Sequence, residues 1–393
     1  MTLRYLTAGE SHGPALVGIL EGLPAGVPVD LDAIAHDLAR RRLGHGRSPR
    51  MNFEADRFEI LAGVRHGRSL GAPIAVVIHN TEWPKWTSAM AVAEPEDPEA
   101  VAATGRGQPL TRPRPGHADL TGAQKYGFSD VRNVLERASA RETATRVALA
   151  TLARALLTEV GVTVVSHVVA IGDVAVPEGT ALPGPEDAAA VDADPVRCVD
   201  PATSLRMQEA IDAAKADRDT LGGVIEILAY GLPPGLGSYV HWDRKLDARL
   251  AAALMSVQAF KGVEVGDGFG VAAVRGSQAH DEIVAADGTY RRVTGRAGGI
   301  EGGMSTGEVL RVRAAKKPIS SLTRPLRTVD VASGEDATAI TQRSDVCAVP
   351  RAAVVAESVV ALELADALLE KTGGDALAEV VRNLAAYRAE LPS

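Results

Sequence analysis

Apolar positions recur along the chain with two different spacings. Intervals of three or four residues favour helices, whereas β-branched runs bounded by glycine, proline or charge favour strands. The clearest helical pattern is an alanine-rich stretch that begins at Arg137 and ends at Val160. The predicted helices are 31–42, 137–160, 203–217, 243–257, 351–370 and 375–388. The predicted strands are 74–79, 162–171, 224–229 and 309–312.

The composition is that of a globular protein with an aliphatic core. Hydrophobic residues make up 46% of the 393 positions and charged residues 23%, but aromatic residues only 4%. With 39 glycines and 22 prolines, the chain is below the level typical of disorder. A collagen, a coiled coil and a disordered chain are therefore excluded as descriptions of the whole. Length alone favours two or three domains.

The charge balance narrows the class of ligand. A net charge of -8 argues against bulk binding of nucleic acid or of an anionic membrane. Of the 42 basic residues only eight are lysines, and arginine binds phosphate and carboxylate through a planar fork. Genomic codon bias is the alternative explanation of that excess. Two cysteines, no secretory signal and no long apolar run predict a cytoplasmic protein that does not bind a membrane.

Several common catalytic motifs are missing from the sequence. It has no phosphate-binding Gly-x-x-x-x-Gly-Lys-Ser/Thr, no Gly-x-Ser-x-Gly elbow and no His-Glu-x-x-His. The glycines at 266–270 have the wrong spacing for a dinucleotide fingerprint. The chain therefore resembles neither a simple hydrolase nor a metalloenzyme, and no metal site is expected.

Two segments near the start of the chain combine glycine with basic residues. Residues 9–13 read Gly-Glu-Ser-His-Gly, which places His12 either against a ligand or in a solvent-facing turn. Residues 40–50 contain five arginines in and after a predicted helix end. That cluster suits a multiply anionic small molecule. A solvated helix C-terminus or a nucleic-acid patch remains the alternative.

Two further segments carry arginine in stiff or helical settings. In residues 110–122, two prolines restrict the backbone that carries Arg112, Arg114 and His117. Such a stiff segment suits an active-site loop, and the alternative is a plain surface loop. Residues 136–142 are expected to begin the long helix, where backbone N–H groups suit a phosphate. The alternative there is an N-cap at Ser139 with exposed ion pairs.

The last group of segments lies in the C-terminal third. The glycines of 298–307 allow close backbone approach, and 316–321 (Lys-Lys-Pro-Ile-Ser-Ser) supplies hydrogen-bonding side chains. Farther on, Arg343 precedes Asp345 by two residues. An aspartate beside an arginine is expected to be ionised and oriented, ready to accept a proton.

Seven of these segments occur in the order typical of the chorismate synthase family, which the chain resembles from about residue 3 to about residue 388. The matching motifs are Gly-Glu-Ser-His-Gly (9–13), Arg-Arg-Arg-Leu-Gly (40–44), Arg-Pro-Gly-His-Ala-Asp (114–119), Arg-Ala-Ser-Ala-Arg-Glu-Thr (137–143), Gly-Gly-x-x-Gly-Gly (298–303), Lys-Pro-Ile-Ser (317–320) and Arg-Ser-Asp (343–345). Residues 80–86 (Asn-Thr-Glu-Trp-Pro-Lys-Trp) are most similar to actinobacterial members. Because no extra domain is visible, a monofunctional bacterial form that depends on an outside source of reduced flavin is expected.

The resemblance implies a reaction and its components. The family converts 5-enolpyruvylshikimate 3-phosphate to chorismate and phosphate by an anti 1,4-elimination, the last common step toward the aromatic amino acids. It requires reduced FMN, with NADPH as a candidate source of reducing equivalents and an external flavin reductase as a candidate partner. A phosphate and two carboxylates on the substrate explain arginine clusters in an acidic protein.

The resemblance also assigns residues. His12 would exchange a proton with the reduced flavin, His117 would protonate the leaving phosphate, and Asp345 would help the flavin take the substrate hydrogen. The candidate anion-binding residues are Arg41, Arg47, Arg50, Arg114 and Arg141, of which Arg41 and Arg47 could instead meet a nicotinamide cofactor. The candidate flavin-binding residues are Arg137, Ala138, Ser139, Gln258, Ala259, Gly303, Lys317, Pro318, Ile319, Ser320, Ser321 and Arg343.

The family fold replaces the domain estimate from length. It is an α+β fold, one large β-α-β sandwich with helices between two antiparallel sheets, assembled as a homotetramer (a dimer of dimers). Residues 1–393 would then be a single domain, with a surface insertion around 177–201. Gln258 stands where the family often has asparagine. Two rival functions remain: a flavin-dependent lyase acting on another phosphorylated cyclic acid, and a nucleic-acid binder that uses 40–50.

Overall fold

The computed structural model describes residues 3–47, 56–286, 288–341 and 344–391. Within these ranges the helices are α1 (Leu31–Arg40), α2 (Pro98–Ala103), α3 (Asp119–Tyr126), α4 (Arg132–Arg137), α5 (Thr143–Glu159), α6 (Ala188–Ala193), α7 (Pro201–Ala216), α8 (Leu246–Met255), α9 (Gly276–Ala279), α10 (Val349–Thr372) and α11 (Leu377–Ala389). The strands are β1 (Arg4–Ala8), β2 (Ala15–Glu21), β3 (Phe58–Ala62), β4 (Val64–Arg65), β5 (Arg68–Ser69), β6 (Ile74–His79), β7 (Thr163–Ile171), β8 (Val174–Ala175), β9 (Gly223–Tyr230), β10 (Phe260–Val265), β11 (Ile283–Ala286), β12 (Thr289–Arg292), β13 (Ile300–Glu301), β14 (Met304–Ser305), β15 (Leu310–Lys316), β16 (Arg327–Val329) and β17 (Asp336–Thr338).

Two antiparallel sheets enclose a pair of helices. The first sheet has the strand order β1-β2-β6-β3 and the second β10-β15-β9-β7-β8. Helix α5 packs on β2 and β6, α10 packs on β7 and β9, and the two helices pack on each other. The layer order is therefore sheet, α5, α10, sheet, which confirms the α+β sandwich expected from the resemblance.

The sequence pattern explains which surfaces meet. On β6 the residues Ile74, Val76 and Ile78 are fully buried and alternate with partly exposed ones, as expected for a strand with one covered face. Helix α10 is buried around nearly its whole circumference, because alanine, valine and leucine occupy all of its sides. A helix of that composition needs a neighbour on every side, and the sandwich supplies it.

The predicted elements correspond closely to the observed ones, with one exception. The strand at 74–79 is observed with the same bounds, and most predicted helices shift by one to three residues at their ends. The continuous helix predicted for 137–160 is wrong, since α4 ends at Arg137 and α5 begins at Thr143. Between them Ser139 is extended and its side chain accepts a 3.3 Å hydrogen bond from the backbone N–H of Arg141. Arg137 and Arg141 therefore do not share a helix face.

The segment 177–201 is only partly superficial. Its first half carries exposed residues, but its second half contains α6 and contributes Val196 and Cys198 to the hydrophobic core. Its assignment as an insertion into a single domain stays a prediction.

A cluster of buried charged side chains joins α1, α5 and α10. Arg40 contacts Glu357 through both terminal nitrogens (2.9 and 3.1 Å) and also Asp192 (2.7 Å). Arg154 lies 2.8 Å from the same glutamate. Burial alone would raise the pKa of Glu357, but Arg40, Arg154 and Arg197 outweigh it and lower that pKa to about 2. Arg40 thus ties α1 to α10.

Replacing Glu357 by Gln should lower the free energy of unfolding by about 3–5 kcal/mol, because it leaves buried cations without their counter-charge. Urea denaturation measures the change. The same substitution at Glu21, which makes an exposed ion pair with Arg4, should cost at most about 1 kcal/mol. Since the folded pKa of Glu357 is depressed, its contribution is present above the unfolded value of 4.5 and is lost as pH falls toward about 2. Equal losses in the two variants would contradict a stabilising role for the cluster.

Candidate active site

A cavity of about 770 Å³ opens where the ends of several elements meet. The α4–α5 junction, the start of β10, the loop after β15 and the first turns of α10 form its walls. The broken helix described above is what brings Ala138 to Arg141 onto this surface. The described residues that line it are Ser11, His12, Arg41, Arg114, Gly116, His117, Ala118, Leu135, Ala138, Ser139, Ala140, Arg141, Thr143, Met255, Ser256, Val257, Gln258, Ala259, Phe260, Lys261, Lys316, Lys317, Pro318, Ile319, Ser320, Ser321, Ser344, Asp345, Ala348, Arg351, Ala352 and Val355.

The charge of this cavity is opposite in sign to that of the chain. Among its described lining residues, Asp345 is the one carboxylate. The arginine and lysine side chains in the same wall are Arg41, Arg114, Arg141, Lys261, Lys316, Lys317 and Arg351. A concave site with this excess of cations concentrates small anions and holds carboxylate or phosphate oxygens.

His12 is fixed by a carboxylate and by an aromatic ring. Its Nδ1 donates to Glu136, with distances of 2.9 and 3.0 Å to the two oxygens, and its backbone N–H donates to Oε2 (2.8 Å). Ser11 adds a 2.6 Å hydrogen bond to the same carboxylate. The indole of Trp86 stacks on the imidazole, with ring centroids 4.1 Å apart. These contacts hold the imidazole in one orientation at the cavity wall.

Glu136 remains ionised beneath His12. Burial would raise the pKa of this carboxyl, but the hydrogen bonds and charge of His12, together with Ser11, lower it below the ordinary value. A buried carboxylate against Nδ1 is the arrangement that orients a histidine for proton transfer.

His117 belongs to a second, similar group. Its Nδ1 lies 2.5 Å from Asp119 Oδ1 and 3.0 Å from Arg114 Nη2. Asp119, fully buried at the first turn of α3, also accepts from Arg114 Nε (2.8 Å). Burial opposes ionisation of this carboxyl, but His117 and Arg114 hold its pKa well below the ordinary range. Arg114 extends the group to Ser321, whose Oγ accepts a 2.9 Å hydrogen bond.

Asp345 lies in the loop that leads into α10. Its carboxylate forms an ion pair with Arg351, and it is nine-tenths buried. Lys316, at the end of β15, is buried near both. Burial and the charge of Arg351 lower the pKa of Lys316 to about 8, although Cys347 and Asp345 act in the opposite direction.

Two of the candidate anion-binding arginines share one carboxylate. Arg41 and Arg141 both pair with Asp56, at 3.4 Å for Arg41. Arg141 also donates from Nε to Asn80 Oδ1 (3.1 Å), and Asn80 in turn donates to the backbone oxygen of Gly13 (2.8 Å). The contacts keep both guanidinium groups in the cavity wall.

The segment that follows α8 (residues 256–259) is hydrogen-bonded to the loop that follows β15. Ala259 has a φ of 70°, which is rare outside glycine, and its carbonyl accepts from the backbone N–H of Lys317 (3.0 Å). Lys317 Nζ donates to the carbonyl of Gly116. Gln258 Nε2 donates to Glu142 (3.2 Å), whereas the buried Oε1 of Gln258 has no partner among the residues described.

Most of the predicted site residues converge on this cavity. His12, His117 and Asp345 all line it. So do Arg41, Arg114, Arg141, Ala138, Ser139, Gln258, Ala259, Lys317, Pro318, Ile319, Ser320 and Ser321.

Three predicted residues lie elsewhere. Arg47 is exposed and donates to the carbonyl of Arg42 (3.2 Å), and Arg137 donates to the carbonyl of Thr7 (2.9 Å). Gly303 turns the β13–β14 hairpin, where a Cβ would lie 2.6 Å from Lys245 Cγ. Arg50 and Arg343 fall outside the described residues.

The sequence reasoning missed several residues of the site. Glu136 is 124 positions from His12, so no spacing signal links the two. Asp119 lies only two residues after His117 within Arg-Pro-Gly-His-Ala-Asp, and that closeness was the one available signal for the pair. Lys261 follows the Gln-Ala pair without a motif of its own. Arg351 sits inside a helix predicted from its apolar pattern, so nothing local indicated a cavity residue.

The pKa of Lys316 predicts a pH dependence of anion binding. Because this group is charged below about pH 8 and neutral above it, the affinity for a phosphorylated ligand should fall by up to about tenfold between pH 7.5 and 9. Calorimetric titration at several pH values measures it. Lys316→Gln should flatten the dependence, whereas Lys261→Gln should weaken binding and keep the slope. A retained slope in Lys316→Gln would contradict the assignment.

The cavity combines a cationic wall with two oriented histidines and a carboxylate, an arrangement typical of enzymes that act on small anionic molecules. Comparison with known proteins gives the family of the chain. The family model for chorismate synthase matches residues 3–369. The chain therefore belongs to the chorismate synthase family, whose members are lyases of aromatic amino acid biosynthesis.

Individual relatives agree over nearly the whole chain. The chain is 66% identical over 385 residues to a chorismate synthase from Leifsonia xyli subsp. xyli, covering 98% of this chain and 95% of the relative. It is also 66% identical over 389 residues to one from Frankia alni, covering 98% of each. A crystal structure of chorismate synthase superposes with a TM-score of 0.78 at 38% identity, covering 98% of this chain and 97% of that one. The family expected from the motifs is thereby confirmed.

None of the described helices is long and apolar enough to cross a membrane.

Proposed function

We propose that this chain converts 5-enolpyruvylshikimate 3-phosphate to chorismate and phosphate with the help of reduced FMN. The observation that carries the proposal is the convergence of His12, His117 and Asp345 on one cavity with a cationic wall. The elimination needs an acid for the departing phosphate and a group that assists loss of hydrogen. Both types of residue are present in that wall.

The substrate's charges match the cavity. A phosphate and two carboxylates need several donors, and guanidinium groups bind such oxygens with two parallel hydrogen bonds. Arg41, Arg114 and Arg141 are each held by a buried carboxylate or amide before any ligand arrives. Such pre-arrangement reduces the cost of ordering side chains when the substrate binds.

The chain's residues also fit a flavin. The buried, unpartnered Oε1 of Gln258 is an acceptor suited to a ring N–H, and burial without a partner is costly. Ala138, Ser139 and Ala259 offer small side chains and backbone groups in the same cavity wall. Lys317 and Ser320 would hold the flavin's phosphate. When bound, reduced FMN supplies electron density as the phosphate leaves and regains it as the hydrogen departs.

His117 is the acid for the leaving group. Asp119 accepts the hydrogen bond from Nδ1 and thereby fixes the ring, while Arg114 holds the same carboxylate. Proton transfer from His117 to a phosphate oxygen neutralises charge as the C–O bond breaks. Arg114, whose donors already lie beside His117, stabilises the phosphate that forms.

His12 and Asp345 serve the other half of the reaction. His12, oriented by Glu136 and Trp86, supplies or shares a proton with the reduced cofactor. Asp345, held by Arg351, assists removal of the substrate hydrogen. Catalysis by the chain then consists of binding, orienting and proton transfer.

The remaining components are proposals of the same kind. NADPH would be the source of reducing equivalents, delivered through an external flavin reductase to a cytoplasmic enzyme. The exposed apolar side chains of Leu6, Ile19 and Leu61 on the outer face of the first sheet support a homotetramer, because exposed apolar patches commonly mark subunit interfaces. Light scattering on the purified protein should give four times the mass of one chain, and a monomer mass would reject the assembly.

An anaerobic assay tests the reaction. The protein is mixed with dithionite-reduced FMN and 5-enolpyruvylshikimate 3-phosphate, and chorismate absorbance and phosphate release are followed together. Equal amounts of both products, formed with reduced but not with oxidised FMN, are expected. Bound FMN without either product would reject the substrate and favour a different phosphorylated cyclic acid.

A further inference from the structure

Arg351 occupies an unusual position for an arginine. It is the third residue of α10, so its charge lies in the first turn, where the helix dipole disfavours a cation. Its side chain is 18% exposed and lines the cavity. A residue that opposes its local electrostatics is expected where function requires it. The first turn of α10 is such a place, because Ala348, Ala352 and Val355 also line the cavity.

The two terminal nitrogens of Arg351 have different surroundings. Nη1 forms the ion pair with Asp345. Nη2 is fully buried and makes no hydrogen bond in the part of the chain that the structure describes. A buried donor of a charged group without a partner is costly, and such groups are normally satisfied in the working state of a protein.

The charges around this nitrogen favour an anion as its partner. Lys316 is buried beside Arg351 and Asp345, and the N-terminus of α10 adds partial positive charge. A carboxylate or phosphate oxygen would satisfy Nη2 and offset the excess of positive charge at once. An uncharged acceptor would satisfy only the hydrogen bond.

We propose that Arg351 binds the ligand: a small rotation of its side chain turns Nη2 toward the cavity, where it donates to an anionic oxygen, while Nη1 holds Asp345 in place. One planar group thus couples occupation of the cavity to the orientation of the carboxylate. The inference rests on the proposed function for the identity of its ligands: a substrate carboxylate or the phosphate of FMN supplies the oxygen.

The test compares Arg351→Met, Arg351→Lys and Arg351→Ala with one control variant. Arg249→Met is the matched control, because Arg249 is similarly buried and pairs with Asp366 away from the cavity. Calorimetry with 5-enolpyruvylshikimate 3-phosphate and fluorescence titration with FMN and with riboflavin give the dissociation constants. The anaerobic assay gives kcat and KM.

Arg351→Met should weaken one ligand by about 10- to 100-fold, the effect of one charge-assisted hydrogen bond. Weaker substrate binding with unchanged FMN affinity assigns the oxygen to the substrate. Weaker FMN binding with unchanged riboflavin affinity assigns it to the flavin phosphate. Arg351→Lys keeps a charge beside Asp345 but not the fork, so it should retain kcat better than affinity, and millimolar methylguanidinium should restore part of the binding lost in Arg351→Ala.

Unchanged affinity for all three ligands in Arg351→Met would overturn the proposal. A fall in melting temperature alone, equal to that of Arg249→Met, would also overturn it, since it would show a purely structural ion pair. If the wild-type protein binds FMN but forms no chorismate, the proposed function fails. The comparison of FMN with riboflavin would then still show whether Arg351 binds the flavin phosphate, and calorimetry with the phosphorylated compound would show whether it binds that ligand.

Discussion

Replacing His117 by Ala should lower kcat by about 10²- to 10⁴-fold while the affinities for FMN and for the phosphorylated substrate change little. That range is typical for loss of a general acid. His117 meets the requirements for this role, because its Nδ1 lies 2.5 Å from a fully buried carboxylate and the ring lines the cavity. The remaining cations still hold the substrate, so the loss should appear in turnover.

Single-turnover measurement under anaerobic conditions separates chemistry from binding in this variant. Phosphate release should slow in step with chorismate formation, because protonation accompanies breakage of the C–O bond. His36→Ala is a suitable control, since His36 is 70% exposed on α1 and does not line this cavity. Normal turnover in His117→Ala would remove His117 from the mechanism.

Asp119→Asn provides a companion measurement. It leaves His117 in place but replaces the ionised oxygen that accepts from Nδ1, and it removes the counter-charge of Arg114. If orientation by Asp119 matters, kcat should fall by a smaller factor than in His117→Ala. The double variant should then be no slower than His117→Ala, since residues acting as one unit are not additive.

The sequence was sufficient to locate the two histidines of this site, but not all of the residues that orient them. His12 and His117 could be found because each lies in a short segment of unusual composition. The carboxylate partner of His117, Asp119, lies two residues away in the same motif, but the partner of His12 could not be found in this way. Glu136 is 124 positions from His12, and only the packing of the β1–β2 turn against α4 brings them together. Long-range contacts of this kind leave no periodicity in the sequence.

The three consecutive arginines at 40–42 show a second feature that the sequence does not predict, namely which environment each adjacent side chain reaches. Arg40 turns into the core ion cluster with Glu357, whereas Arg41 lines the cavity. Successive residues on a helix point about 100° apart, so adjacent side chains reach different environments. The composition of residues 40–42 indicated anion binding for the cluster as a whole, but the choice between core and cavity depends on where α1 docks.

The broken helix between Arg137 and Thr143 is the clearest difference in the fold. Apolar spacing and alanine content favour a continuous helix there, and both are real features of the segment. The structure instead places an extended Ser139 at the break, where its hydroxyl caps the following turn. Local rules are commonly broken at functional sites, and here the break puts Ser139 and Arg141 into the cavity wall.

Replacing Asp345 by Asn should reduce kcat by about 10²- to 10⁴-fold with the substrate still bound, because the amide keeps the shape but cannot take a proton. With the carboxylate lost, hydrogen removal becomes the slow step. A substrate deuterated at the carbon that loses hydrogen should therefore show a larger isotope effect in the variant than in the wild type. Phosphate release and chorismate formation would slow together.

The same variant distinguishes the loss of a proton acceptor from the loss of a negative charge in the cavity. Asp345→Asn leaves Arg351 and Lys316 without their shared carboxylate, so anions should bind at least as tightly as in the wild type. Asp366→Asn, which breaks the remote pair with Arg249, is the matched control for loss of a partly buried ion pair and should leave the isotope effect unchanged. An unchanged kcat in Asp345→Asn would exclude the carboxylate from hydrogen removal. A lower kcat with an unchanged isotope effect would restrict Asp345 to orienting Arg351.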